Sequence, residues 1–158
     1  MRDNSEAVRV IGNFNSESKF IDARTGRETS VLLTAGRGYF VVGLVGVGQE
    51  PTDHALKDIA AKAAELEQWG RSIILLFPDE TAYAKYAASP AASLPQTVTF
   101  GIDRDGSVRR QILDTMHLPG NAPLPVFLIG DTFNRVVFES HGYTIGLGDR
   151  FLHTIHQL

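Results

Sequence analysis

The first readable pattern is β-like. Val8, Val10 and Ile11 open a strand after a polar start. Phe20-Ile21-Asp22-Ala23 and Glu28-Thr29-Ser30-Val31-Leu32-Leu33 then flank Arg24-Thr25-Gly26-Arg27, which reads as a hairpin turn between two strands. After Gly36-Arg37-Gly38 comes Tyr39–Val45, a continuous apolar run rich in β-branched and aromatic residues, the composition of a strand buried on both faces. The period then changes. Leu56, Ile59, Ala60, Ala63 and Leu66 recur at three- and four-residue steps as far as Trp69, and Gly70 follows as a stop, so the spacing predicts a long amphipathic helix. Its entry, Gly48-Gln49-Glu50-Pro51-Thr52-Asp53, places a proline and two carboxylates where a first helical turn favours them.

Ile73–Phe77 predicts a second buried strand ended by Pro78-Asp79, then a short helix over Thr81–Ala88 and a loop over Ser89–Pro95. Gln96–Ile102 is a third strand, Ser107–His117 a further helix, Val126–Ile129 and Arg135–Phe138 a hairpin about Gly130–Asn134, and Gly148–Leu158 a terminal helix. Two buried strands joined by a long helix pair in parallel, while a final hairpin adds antiparallel strands. The pattern therefore predicts an α/β domain with a central mixed sheet between helices.

At 158 residues the chain has room for one core, which we assign to residues 8–158 behind a polar leader or linker at 1–7. The formal charge is −3, which gives no basic excess for nucleic acid or an anionic membrane. Tyr39–Val45 and Ile73–Phe77 fall well short of the ~20 apolar residues of a spanning helix, so no membrane insertion is expected. Met1–Glu6 lacks the apolar stretch of a secretory signal, which points to a cytosolic protein or to a segment of a longer chain. There is no cysteine. That excludes disulfides, thiolate metal sites, thiol peroxidase chemistry and dithiol exchange within the chain.

The element order resembles the thioredoxin-like fold, in the branch of thiol-disulfide oxidoreductases and peroxiredoxins. Three local features carry the resemblance. Leu44-Val45-Gly46-Val47-Gly48 runs from a strand into Gln49-Glu50-Pro51-Thr52, where that branch has its C-x-x-C motif at the head of the long helix. Leu124-Pro125-Val126-Phe127-Leu128-Ile129-Gly130-Asp131 matches the segment in which the family carries a cis-proline before a strand, apart from Val126 in place of a hydroxyl residue. Gly142, in Ser140-His141-Gly142-Tyr143, sits before the last helix. The resemblance covers about Phe14 to Leu158 and implies a three-layer α/β/α sandwich with a central mixed sheet and an N-terminal β-hairpin extension.

The chemistry of that family is missing. Its two cysteines fall at Gln49 and Thr52, and neither an amide nor an unactivated alcohol replaces a thiolate in disulfide exchange. More narrowly, Gly38–Gly43, Gly48–Thr52, Leu75–Glu80, Asp131–Phe138 and Gly142–Gly148 resemble the cysteine-free thioredoxin-like module of some large secreted bacterial proteins, where it follows a transglutaminase-like domain. The resemblance implies a redox-inactive accessory module, periplasmic or extracellular, without a cofactor. Its partner would be a neighbouring domain of the same polypeptide or an extended peptide. Such a peptide would lie in the groove beside Leu124 and Pro125, against the vestigial motif Gln49, Glu50, Pro51 and Thr52, with Asp53, His54 and Tyr143 as accessory positions.

Other constellations are weaker. Gly43, Gly46 and Gly48 form G-x-x-G-x-G, which is not the dinucleotide spacing, and no P-loop lysine follows. We read these glycines as letting a turn pass close to the sheet. His54, His117, His141, His153 and His156 include no H-E-x-x-H or H-x-E arrangement, so no metal is expected. Glu50, Thr52, Asp53 and His54 together could imitate a base-activated hydroxyl, the basis of an alternative reading as a cryptic enzyme at the vestigial site. The plainer reading is that Thr52 or Asp53 caps the helix and His54 is solvated. Trp69, Phe77, Tyr83 and Tyr86 read as packing residues, since no interleaved basic residues accompany them.

Overall fold

A computed structural model describes residues 10–15, 17–36, 39–45, 57–59, 61–62, 65, 73–87, 98–120, 124–142 and 147–156. Its strands are β1 (Gly12–Asn13), β2 (Lys19–Asp22), β3 (Glu28–Ser30), β4 (Phe40–Leu44), β5 (Ile73–Phe77), β6 (Thr99–Ile102), β7 (Val126–Gly130) and β8 (Arg135–His141). Its helices are α1 (Val31–Ala35), α2 (Glu80–Ala87), α3 (Ser107–Thr115) and α4 (Leu147–His156), and residues 57–59, 61 and 65 are also helical. No helix among the described residues is long and apolar enough to cross a membrane.

The strands make one sheet in the order β1-β8-β7-β4-β5-β6-β2-β3. The two apolar runs pair in parallel, Val42 opposite Ile74, and β6 extends the parallel set with Phe100 opposite Leu75. All other neighbours are antiparallel. Every residue of β4, β5 and β7 is buried, because both faces are covered and side chains alternate between them. Val41, Leu75, Phe77, Phe127 and Ile129 pack with Ile59 and with Tyr86, Phe151 and Ile155 of α2 and α4. Val42, Leu44, Leu76, Val126 and Leu128 pack on the opposite face against Val108, Ile112 and Leu113 of α3. The layers are helix, sheet and helix.

Within the first layer, Phe151 meets Phe127 and Phe138 edge-on at centroid separations of 5.3 and 5.7 Å. Phe77, Tyr83 and Tyr86, which read as packing positions in the sequence, form a second aromatic group with Phe100. Trp69 lies outside the described residues. Burial pushes the Tyr86 hydroxyl up to about 12.

At Gly43 and Gly130 the sheet leaves room for an aromatic ring. Gly43 of β4 lies directly opposite Phe127 of β7, and a Cβ there would stand 2.4 Å from Phe127 Cε1. Gly130 lies opposite Phe40, whose Cζ would be 2.2 Å from such a carbon. Each ring occupies the volume a side chain would need. Gly43 is therefore a strand residue, as the run Tyr39–Val45 predicts, and it makes room for an aromatic ring rather than for a turn; Gly46 and Gly48 lie outside the described residues.

Several boundaries differ from the sequence reading. The strand from Glu28 stops at Ser30, and Val31-Leu32-Leu33 turns into α1. Ser30 takes an extended backbone and its hydroxyl accepts the Leu33 N–H at 3.2 Å, so a good N-cap outweighs β-favouring side chains. Val31 is fully buried while Leu33 is 77% exposed. Val8 lies outside the described residues. Val10 and Ile11 are exposed and precede β1, although the Ile11 N–H donates to Val136 O at 2.7 Å. β8 runs on past Phe138 to His141, because β7 supplies backbone partners to polar Glu139 and Ser140. α3 ends at Thr115, with His117 in the left-handed region at φ 55°.

Candidate functional site

Three parallel strands deliver their C-terminal ends to one place. Leu44 and Val45 from β4, Leu76, Phe77 and Pro78 from β5, and Asp103 just after β6 line one cavity of ≈ 270 Å³. The loop Arg104-Asp105-Gly106, Arg109 of α3, and Leu124 complete its wall. Open α/β sheets place ligand sites at such strand ends. The floor is apolar, since Leu44, Leu76 and Phe77 are each at least 96% buried.

The loop is built by its carboxylates. Gly106 takes φ 73°, which turns the chain into α3 but leaves the helix without a cap side chain of its own. Asp103 reaches across instead, its two oxygens accepting the N–H groups of Val108 at 3.2 Å and Arg109 at 2.8 Å. Asp105 accepts the Ser107 N–H at 3.0 Å. The Asp103 backbone N–H donates to Phe77 O at 2.9 Å, tying the loop to the end of β5. Burial pushes the Asp103 carboxyl above its usual range, only partly offset by the helical N–H groups. Hydrogen bonds from Ser107 hold Asp105 below its usual range.

The cationic groups at the rim are also engaged. Arg104 Nε lies 3.2 Å from Glu80 Oε1, and the Arg109 guanidinium donates to Gly120 O at 2.5 Å. The second bond clips α3 to Gly120.

The Leu124–Pro125 peptide bond is cis. Leu124 lines the cavity, and Pro125 is buried and leads straight into β7. Pro125 O accepts the Gly142 N–H at 2.9 Å, so the glycine singled out in the sequence lies beside this proline, at φ 71°. The structure thus brings together Leu124, Pro125, Gly142 and the end of β4. Gln49, Glu50, Pro51, Thr52, Asp53, His54 and Tyr143 lie outside the described residues. His141 Nδ1 stands 3.4 Å from Glu139 Oε2, and His153 is exposed on α4. Among the described residues no group of three or more His, Asp or Glu side chains could hold a metal ion. Sequence reasoning missed Asp103, Arg104, Asp105 and Arg109. The signal for the loop was Asp103-Arg104-Asp105-Gly106-Ser107, a turn with two side-chain acceptors before a helix.

No protein-family model and no curated protein sequence matches the chain. Solved structures do. Peroxiredoxin Q of Xanthomonas campestris superposes with a TM-score of 0.66 at 13% identity, covering 95% of this chain and 100% of its own. A Chlorobium tepidum protein assigned as the thiol:disulfide interchange protein DsbE gives 0.65 at 13%, covering 91% and 95%. The exposed lipoprotein thioredoxin Etrx1 of Streptococcus pneumoniae gives 0.63 at 15%, covering 89% and 98%.

The fold is thioredoxin-like. At these identities the likeness concerns the fold alone. Within this thioredoxin-like chain there is no cysteine, so no thiolate of its own can attack a disulfide or a peroxide. What the described part of the site offers instead is an apolar cavity, a cis-proline beside it, and a loop whose charged groups all have partners.

Proposed function

We propose that the chain is a redox-inactive thioredoxin-like module that docks an extended peptide or a neighbouring domain along Leu124 and Pro125. One observation carries this reading: in a cysteine-free chain Leu124 walls a cavity formed by strand ends, and Pro125 follows it directly into β7. A peptide laid beside Leu124 would bind by backbone hydrogen bonds, with pockets selecting its side chains. Such binding needs no thiol, so loss of the cysteines removes the chemistry and leaves the surface. The neighbour we favour is a transglutaminase-like domain, a choice supported by the sequence strings quoted above.

Two measurements on the pure protein test the reading. In the insulin-reduction assay with dithiothreitol the protein leaves the rate at the reagent's own value, while amide resonances of Leu124, Val126 and Gly142 shift on adding a blocked extended peptide. Acceleration of insulin reduction, or the absence of any shift, would overturn the proposal.

A further inference from the structure

We infer that the cavity at the ends of β4, β5 and β6 is a side-chain pocket that takes one large, neutral, apolar residue of a docked peptide. The inference rests on the peptide-docking reading and adds which residue the peptide must carry.

Size comes first. A dry apolar cavity of about 150 Å³ accepts a benzene ring, whereas pockets for cofactors and drug-sized ligands run from about 300 to 1,000 Å³. At ≈ 270 Å³ the present cavity holds one phenylalanine-, leucine- or methionine-sized group with some margin. Its apolar surface comes from Leu44, Val45, Leu76, Phe77, Pro78 and Leu124.

Charge decides the rest. The rim carries Asp103 and Asp105 against Arg104 and Arg109, which balance. Each is already engaged: the carboxylates with the first N–H groups of α3, Arg104 with Glu80, and Arg109 with the Gly120 carbonyl. An ionic ligand would have to compete with these bonds and would then rest on an apolar floor, an unfavourable place for a charge. A neutral apolar group meets no such opposition.

Position links the pocket to the peptide. Leu124 belongs both to the cavity wall and to the segment that leads through Pro125 into β7. A strand added there points alternate side chains to opposite sides, so one side chain in two faces the cavity.

The test uses the full chain with labelled leucine and valine methyl groups, titrated with blocked Gly-Gly-X-Gly-Gly peptides in which X is Phe, Ala or Glu. The Phe peptide is expected to bind about tenfold or more tighter than the Ala peptide, from the apolar area it buries. It should shift the methyls of Leu44, Val45, Leu76 and Leu124 while those of Val136 and Leu113 stay still, and the Glu peptide should bind worst. Pro78→Trp, placed at the exposed rim, should erase the preference for Phe without moving the unfolding midpoint. Equal binding of all three peptides, or Phe-peptide shifts confined to other methyls, overturns the pocket and leaves peptide docking standing. Absence of binding by every peptide overturns docking and the pocket together.

Discussion

Replacing Gly43 with alanine puts two effects of opposite sign in competition. Alanine restricts the unfolded chain more than glycine, which by itself stabilises a compatible site by about 0.4–1 kcal/mol. Here the new methyl would stand 2.4 Å from Phe127 Cε1, 2.7 Å from its Cδ1 and 3.0 Å from Leu75 Cδ2. Carbon atoms in good contact are ~3.5–4.0 Å apart, so the Phe127 ring must retreat by about 1 Å. It has little room, being fully buried with the Phe151 ring at 5.3 Å on one side. Overpacking of this kind costs about 1–3 kcal/mol, and the packing effect wins. We expect a net loss of about 1–2 kcal/mol, seen in urea titration as a lower midpoint with unchanged slope and in calorimetry as a fall of roughly 2–8 °C. In a Phe127→Leu background the same substitution should cost measurably less, since the two sites are coupled through contact. A Gly43→Ala protein as stable as the parent, or more stable, refutes the packing account.

Three further outcomes follow from the caps and buried carboxylates. Ser30→Ala removes the acceptor for the Leu33 N–H and should lower stability by about 1 kcal/mol in urea titration, whereas Ser30→Asp retains it. Asp131 accepts the Phe133 and Arg135 N–H groups and pairs with the Arg135 guanidinium at 2.8 Å. Burial opposes these bonds but they prevail, so its carboxyl is held below the usual range. Asp131→Asn should therefore cost about 1–3 kcal/mol near neutrality, with the gap to the parent closing as pH falls through the lowered value. Asp103 has the opposite sign. Burial raises its carboxyl, so its contribution is most favourable below the ordinary carboxylate range and declines as pH rises through the raised value; Asp103→Asn should flatten that stretch of the stability–pH curve.

The centre of this fold was legible because it is written locally. Tyr39–Val45, Ile73–Phe77 and Val126–Ile129 are unbroken apolar runs, and only a sheet covered on both faces asks for them. Leu124-Pro125 and Gly142 were legible as a motif, and the structure places them side by side. The α1 turn was not, since one serine hydroxyl reverses what Val31, Leu32 and Leu33 favour. The hairpin of β2 and β3 was legible at its turn, but the docking of the sheet's edges was not: Ile21 pairs with Ile102 and Gly12 with Val136, and such distant pairing leaves no periodic trace. The cavity was missed for the same reason, because its wall is assembled from Leu44, Phe77, Asp103 and Leu124, which are close only after the sheet has formed.

The strand order has a consequence for how the chain is made. Among the described residues, both outer edges of the sheet come from its early part: β1 closes one side against β8, while β2 and β3 close the other against β6. A ribosome releases these strands first, yet β1 must wait for Val136 before it has a neighbour. The hairpin of β2 and β3 can form at once but stays undocked until Gly101 and Ile102 emerge. The nascent chain therefore carries unclaimed strand edges until β6 and β8 emerge, the condition under which chains pair with one another. Shortening the early segment would make that transient condition permanent on both sides of the finished sheet.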